Sequence, residues 1–512
     1  MTTRLRWVTW GAAVLIAAGV VPPLSAHSAQ AGESRPRVVL MDDPELDDQN
    51  TVIRYLLYSD QFDTEGLMYS SSGVHWAGDG KGTEWFVPGR EYRRFGLNLC
   101  PCTSWRWKPG ERFINDAVDL YAQVYPNLRV HSRGFPSPEV LKAKVFVGNI
   151  QFDGDISRDS PGSKVIERLL LDDRPGPLYL LTGAGHSTIA RALKAIELRY
   201  QGTAEWPAIK QKISRKAIIN SFADQDGTYA SYIQPHWPGI VHHDMRTVTW
   251  GYGARSVALP QYAHYLTAAW MKPNVSDVGP LGAFYRVWGD GRPPMGGPAD
   301  HFDYFGLAGL SVEQLEAMGF IVFAPPQEKG SWISEGDSSI YMNLIDNGLR
   351  AGEDPTYGGW GGRAGIDHDN SGATPPDYAA ARWFGPAEDD FAARLKWTIA
   401  PHYRDANHAP VVRIRGRLDR IAHPGERVAL KASVSDPDGN ELQLRWWQYR
   451  DAGTYPGSIA IQQENGDSAS FEVPADAAPG QTIHVILQVK DDGQPPMTRY
   501  GRVIVSVQSR VH

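Results

Sequence analysis

Cysteine is almost missing from this chain. The two present, Cys100 and Cys102, form Cys-Pro-Cys, too few thiols for a four-ligand zinc site, so they read as a bridged or reduced bystander pair. Runs of lysine and arginine are absent, and the balance is acidic, at −7 over 512 residues, which argues against a nucleic-acid polymer as partner. No acidic residue precedes Glu33, and no apolar run reaches the roughly 20 residues a membrane-spanning helix needs. Instead Arg4 and Arg6 lead into the shorter apolar stretch Val8 to Val21, followed by small residues around Ala29-Gln30-Ala31. That order is the pattern of a secretory signal, so residues 1–31 are set apart from the fold. A secreted or periplasmic protein with no other membrane contact is expected.

Hydrophobic residues make up 42% of the chain and aromatics 11%, enough for a large core, and the length calls for more than one domain. From residue 36 to about 400, short apolar runs alternate with amphipathic segments, the rhythm of an α/β domain with a mainly parallel sheet and flanking helices. Arg37 to Met41, Thr64 to Ser70, Pro177 to Thr182, Lys216 to Asn220, Ile240 to His243 and Gly319 to Ala324 read as strands. Gln49 to Tyr58, Phe113 to Val124, Thr188 to Leu198 and Ser338 to Leu349 read as helices. Gly, Pro and aromatics dominate Gly352 to Pro376, which reads as a structured loop. From residue 408 to 512 the pattern has period two, as in Val428, Leu430, Ala432 and Val434 or Ile483, Val485, Leu487 and Val489. This predicts an all-β, immunoglobulin-like sandwich as a second domain.

The chemistry is concentrated where the first strand ends. Four apolar residues, Val38 to Met41, run straight into Asp42, Asp43, Asp47 and Asp48 just before a helix. One or two acids at a helix start gain from its dipole, but four brought to one spot need a cation, and oxygen donors suit a hard one. Ligands of such sheets sit beyond the carboxyl ends of the strands, where Thr182 and the turn at Asp337 also fall.

Asp43-Pro-Glu-Leu-Asp47-Asp48 resembles the Asp-x-Asp-Pro-Gly-x-Asp-Asp signature of the nucleoside hydrolases, with Met41 at the first Asp and Glu45 at the Gly. Asp224-Gln-Asp226, Ser334-Glu-Gly-Asp337 and Gly358-Gly-Trp-Gly-Gly-Arg363 resemble, more narrowly, a secreted bacterial nucleoside-hydrolase-like family. Its members are often labelled cellulose-binding proteins and carry an immunoglobulin-like C-terminal domain. The resemblance implies a calcium ion held by Asp43, Asp48, Asp337 and the backbone carbonyl of Thr182. It also implies Asp43 as the base for the attacking water and Asp47 as the holder of sugar hydroxyls. Two features depart from the signature: Gly336 stands where a His precedes the last metal Asp, and Ser70-Ser-Ser-Gly73 stands where an Asn reads the ribose.

Glu335, His186 or His301 is therefore expected to protonate the leaving group, with Glu335 taken as the catalytic acid. His75, Trp76, His186, Asp226, Trp360 and Arg363 are the expected substrate contacts. Tryptophans in loop-like segments, among them Trp76, Trp85, Trp105, Trp107, Trp332 and Trp360, offer flat faces for sugar rings. The expected function is a calcium-dependent hydrolase of a nucleoside, furanoside or other small glycoside. The alternative is a carbohydrate-binding protein that grips a sugar or polysaccharide in the same pocket without turnover.

Overall fold

The computed structural model describes residues 35–89 and 99–510. The leader-like residues 1–31 lie outside them. Among the described residues no helix is long and apolar enough to cross a membrane, and Pro36–His512 form one compact unit.

Six strands make the first sheet: β1 (Arg37–Asp42), β2 (Asp63–Tyr69), β3 (Val145–Val147), β4 (Leu178–Thr182), β5 (Ala217–Ser221) and β6 (Val241–Asp244). All are parallel, in the order β3-β2-β1-β4-β5-β6. Helices α1 (Leu46–Leu57), α2 (Phe113–His131) and Phe384–Trp397 cover one face, while α3 (Pro161–Leu171), α4 (Ser187–Tyr200) and α5 (Trp206–Lys216) cover the other. Because both faces are covered, β1 is buried along its whole length. Its side chains alternate, Val38 and Leu40 into one core and Val39 and Met41 into the other. The strand order reverses between β1 and β4, so their connections leave on opposite sides and open a crevice at the carboxyl ends. Met41 pairs with Thr182 at that edge, which sets the end of β1 beside the end of β4.

Two expected elements are absent. Gly319 to Ala324 forms no strand; its backbone is tied instead to the loop before it, through Ile321 N–H to His301 O at 2.8 Å and through the Tyr304 hydroxyl, which accepts Ala324 N–H at 2.9 Å. The helix expected over Ser338 to Leu349 shrinks to a 3-10 turn, Gly336–Ser338, and one α-turn, Ser339–Met342. Asn343 ends it by turning its amide to the glycine loop, donating to Gly362 O and accepting from Gly361 N–H, both at 2.9 Å.

The Trp-rich insertion folds on itself through paired backbone bonds between Trp76 and Trp105 and between Trp85 and Cys102. Cys100 and Cys102 are joined by a disulfide.

Beyond residue 408, seven strands form two sheets. One has the order β10 (Leu442–Gln448), β12 (Thr482–Asp491), β13 (Thr498–Val507), β8 (Asp419–Ala422). The other has the order β11 (Ser468–Glu472), β9 (Arg427–Ser435), β7 (Val411–Ile414). Pairing is antiparallel except between β13 and β8. Val428 and Leu430 of one sheet meet Val485 and Leu487 of the other in a shared core. The outer face of β12 and β13 is buried too, since Ile486 and Tyr500, with Met497 just before β13, join the core of the α/β region. Trp446 fills the sandwich, while Trp447 packs 6.0 Å from Trp383 across the junction.

Candidate metal centre

The end of β1, the first turn of α1 and the turn at Gly336–Ser338 meet over the β1/β4 crevice. Asp47 and Asp48 occupy the first turn of α1, where its dipole favours negative charge. Asp48 Oδ1 accepts the Asp43 backbone N–H at 3.0 Å, which closes the loop through Pro44. Two glycines allow the rest to come close. A Cβ on Gly183, just after β4, would lie 2.7 Å from Asp337 Cγ and 2.8 Å from Asp42 Oδ1. A Cβ on Gly336 would lie 2.5 Å from Asp47 Oδ2. This accounts for the missing histidine at position 336: the Asp47 carboxylate fills the space a side chain would need.

Asp42, Asp43, Asp47, Asp48 and Asp337 are all buried. Burial, then the neighbouring charges of Asp43 and Asp47, pushes the Asp42 carboxyl well above the usual range. Burial followed by Asp337 does so for Asp48, and burial followed by Asp47 for Asp337. Asp47 is raised by burial too, against the opposing pull of Ser334 and Tyr252, whose hydroxyls donate to Asp47 Oδ2 and Oδ1, both at 3.1 Å. Both Asp42 oxygens and Asp43 Oδ1 are buried without a hydrogen bond among the described residues. Orphaned carboxylate oxygens in a dry, acidic setting fit a cation, and an all-oxygen donor set fits a hard one.

The wall next to this cluster is formed by His75, Glu45 and Tyr252. His75 is fully buried, with Nδ1 2.9 Å from Asp43 Oδ1 and 3.9 Å from Glu45 Oε2. The Tyr252 hydroxyl also reaches Glu45 Oε1 at 3.3 Å, and its ring stacks on Phe305. Pro44, Glu45, Leu46, Arg106, Tyr252 and Asp300 line a crevice here with no room for a water molecule.

Thr182 ends β4 as expected; its carbonyl accepts the Phe222 N–H at 3.0 Å, leaving one of its two lone pairs. Glu335 does not fit the role of catalytic acid. Its carboxylate is gripped by the guanidinium of Arg54, receives the Tyr285 hydroxyl at 2.5 Å and the Ser338 hydroxyl at 3.0 Å, and is fully buried. Held by those donors and closed off from solvent, it has no path to a leaving group. His301 turns to the Gly319 carbonyl at 3.1 Å.

His186 and Asp226 sit in a neighbouring cluster after β4 and β5. His186 Nδ1 lies 3.4 Å from Asp224 Oδ1, while Asp226 accepts Ser187 N–H at 2.9 Å and the Thr228 hydroxyl at 2.6 Å. Arg363 is bound into its own loop, to Asp367 and the carbonyls of Ala364 and Ile366. With His242, His243 and Tyr378 it lines a separate groove of about 600 Å³. Trp76, Trp332 and Trp360 are fully buried and present no face to a sugar; a large apolar ring gains more from the core than from a loop surface. Tyr252 joins the site with no signal in the sequence, while Asp42, one of the four clustered acids, and Ser334, the first residue of its motif, were given no role there by sequence.

A family model described as the nucleoside hydrolase-like domain of cellulose-binding Sde182 matches residues 37–364. A second, the C-terminal domain of cellulose-binding protein Sde0182, matches residues 427–507. Among solved structures, the chain is similar to a nucleoside hydrolase-related hypothetical protein from Saccharophagus degradans described as associated with carbohydrate metabolism. That match has a TM-score of 0.68 and 22% identity, covering 93% of this chain and 100% of that one. A match to the PKD domain from KIAA 1837 protein, at 18% identity over 18% of this chain and 85% of that one, has a TM-score of 0.14 and carries no weight. No curated protein matches.

Proposed function

The chain belongs to the Sde182 family of cellulose-binding proteins with a nucleoside hydrolase-like domain, and on that footing we propose that it hydrolyses a glycosidic bond of a small glycoside outside the cytoplasm. The observation that carries this reading is the burial together of Asp42 and Asp48 from one stretch with Asp337 from another far along the chain, carboxyls whose acidity is suppressed by burial and by neighbouring carboxylates. Buried charge of one sign costs several kcal/mol per ion unless it is neutralised. Calcium suits the oxygen donors of Asp43, Asp48, Asp337 and the Thr182 carbonyl. When bound, it would supply the positive charge that makes a water acidic enough to attack near neutral pH.

The chain's own groups do the rest. Asp43 accepts the proton of the attacking water. Asp47, fixed by Tyr252 and Ser334, holds the hydroxyls of the sugar. The first 31 residues direct the protein to the secretory route.

A second reading, carbohydrate binding without turnover, is favoured by one observation: Glu335 is consumed by Arg54, Tyr285 and Ser338, and residue 336 is glycine. The purified chain, with and without a calcium chelator, is to be incubated with nucleosides, aryl furanosides and cello-oligosaccharides. Chelator-sensitive release of reducing sugar supports the hydrolase. Glycan binding with no release, unchanged by Asp43→Ala, overturns it in favour of binding alone.

A further inference from the structure

We propose that the acidic pocket takes two divalent cations, the second held by His75, Glu45 and Asp43 and of a softer kind than calcium. The His75 ring nitrogen and one carboxylate oxygen from each of Asp43 and Glu45 lie within 4.8 Å of one another. His75 is fully buried, yet among the described residues neither of its nitrogens makes a hydrogen bond, and Asp43 Oδ1 facing it makes none either. A buried imidazole is seldom left in that state. The 2.9 Å between Nδ1 and Oδ1 lacks hydrogen-bond alignment, but it is the spacing of two ligands on one ion: an octahedral edge is about 1.4 bond lengths, or ~3 Å for bonds of about 2.1 Å.

Charge points the same way. Asp42, Asp43, Asp47, Asp48 and Asp337 bring five carboxylates into the pocket, and among the described residues no lysine or arginine pairs with any of them. One divalent ion offsets two of those charges. The two donor sets also differ, since an imidazole with two carboxylates selects zinc, manganese or cobalt over calcium. Asp43 serves both ions, so the proposal rests on the reading of Asp43 as a ligand of the first; the second position itself stands on His75.

The test is metal content and cobalt spectroscopy on the metal-stripped full chain, dialysed against calcium and cobalt(II) together. Expected are one equivalent of each metal and a visible cobalt absorption band. Glu45→Gln and His75→Gln should each lose the band and the cobalt equivalent while keeping calcium, and Asp48→Asn should lose calcium while keeping the band. Calcium alone in the wild type, or a band that survives both Glu45→Gln and His75→Gln, overturns the second site and leaves the calcium reading standing. Binding of neither metal overturns both. Circular dichroism confirms that each variant is folded, and Glu45→Gln, at the more open position, decides the matter if His75→Gln does not fold.

Discussion

Asp337 and Asp42 face each other across Gly183, so closely that a methyl group there would lie 2.7 Å from Asp337 Cγ and 2.8 Å from Asp42 Oδ1. Gly183→Ala is therefore predicted to cost about 1–3 kcal/mol of stability by overpacking and to weaken calcium binding about tenfold or more by displacing Asp337. Isothermal titration of the variant against the wild type checks the second effect, and urea unfolding the first.

Arg54 lies fully buried between Glu335 and Glu388. It ties the helix that carries Asp47 and Asp48 to the turn that carries Asp337. Arg54→Met leaves two carboxylates without their cation, a predicted loss of about 3–5 kcal/mol. Arg54→Lys should recover only part, because an ammonium cannot match the guanidinium fork. The shift in urea midpoint measures both.

Burial, opposed by the Arg54 guanidinium, pushes the Glu388 carboxyl up to about 7 from an ordinary 4.5. Its pKa is higher folded than unfolded, so the folded state holds the extra proton between those values. The contribution to stability is full below about pH 4.5 and is lost as pH rises through about 7. Relative to Glu388→Gln, the wild type should lose stability on the order of 1–3 kcal/mol from pH 4.5 to 8. Paired melting curves at the two pH values check the sign.

The sandwich is not a detachable appendage. Arg499 pairs with Asp390 at 2.6 Å, the Tyr449 hydroxyl reaches Asp367 at 2.6 Å, and Met497 and Tyr500 lie in the α/β core. A fragment ending at residue 407 is predicted to aggregate or to melt at a lower temperature than the full chain. Solubility and tryptophan fluorescence melting of the two proteins decide it.

Much of the frame was legible in local pattern. The apolar run Val38 to Met41, the acids after it and the period-two strands each follow from neighbours in sequence. What local pattern could not carry were partners far along the chain. Glu335 reads as a free acid near the site until Arg54, 281 positions away, takes it. Tyr252 and Ser334 gain their roles only through Asp47. The tryptophans misled because a loop-like composition does not reveal that the loops bury their own rings, as Trp76 does against Trp85 and Phe152. The helix after Asp337 stops early because Asn343 bonds to glycines of a later loop, a contact no helical periodicity contains.

Equilibrium dialysis of the metal-stripped chain against labelled calcium, beside Asp48→Asn and Asp337→Asn, tests most directly whether carboxylates distant in sequence share one ion. The account predicts that the wild type retains calcium and that each substitution weakens binding by about a hundredfold. Calcium held equally well by both folded variants, or by none of the three proteins, would contradict it.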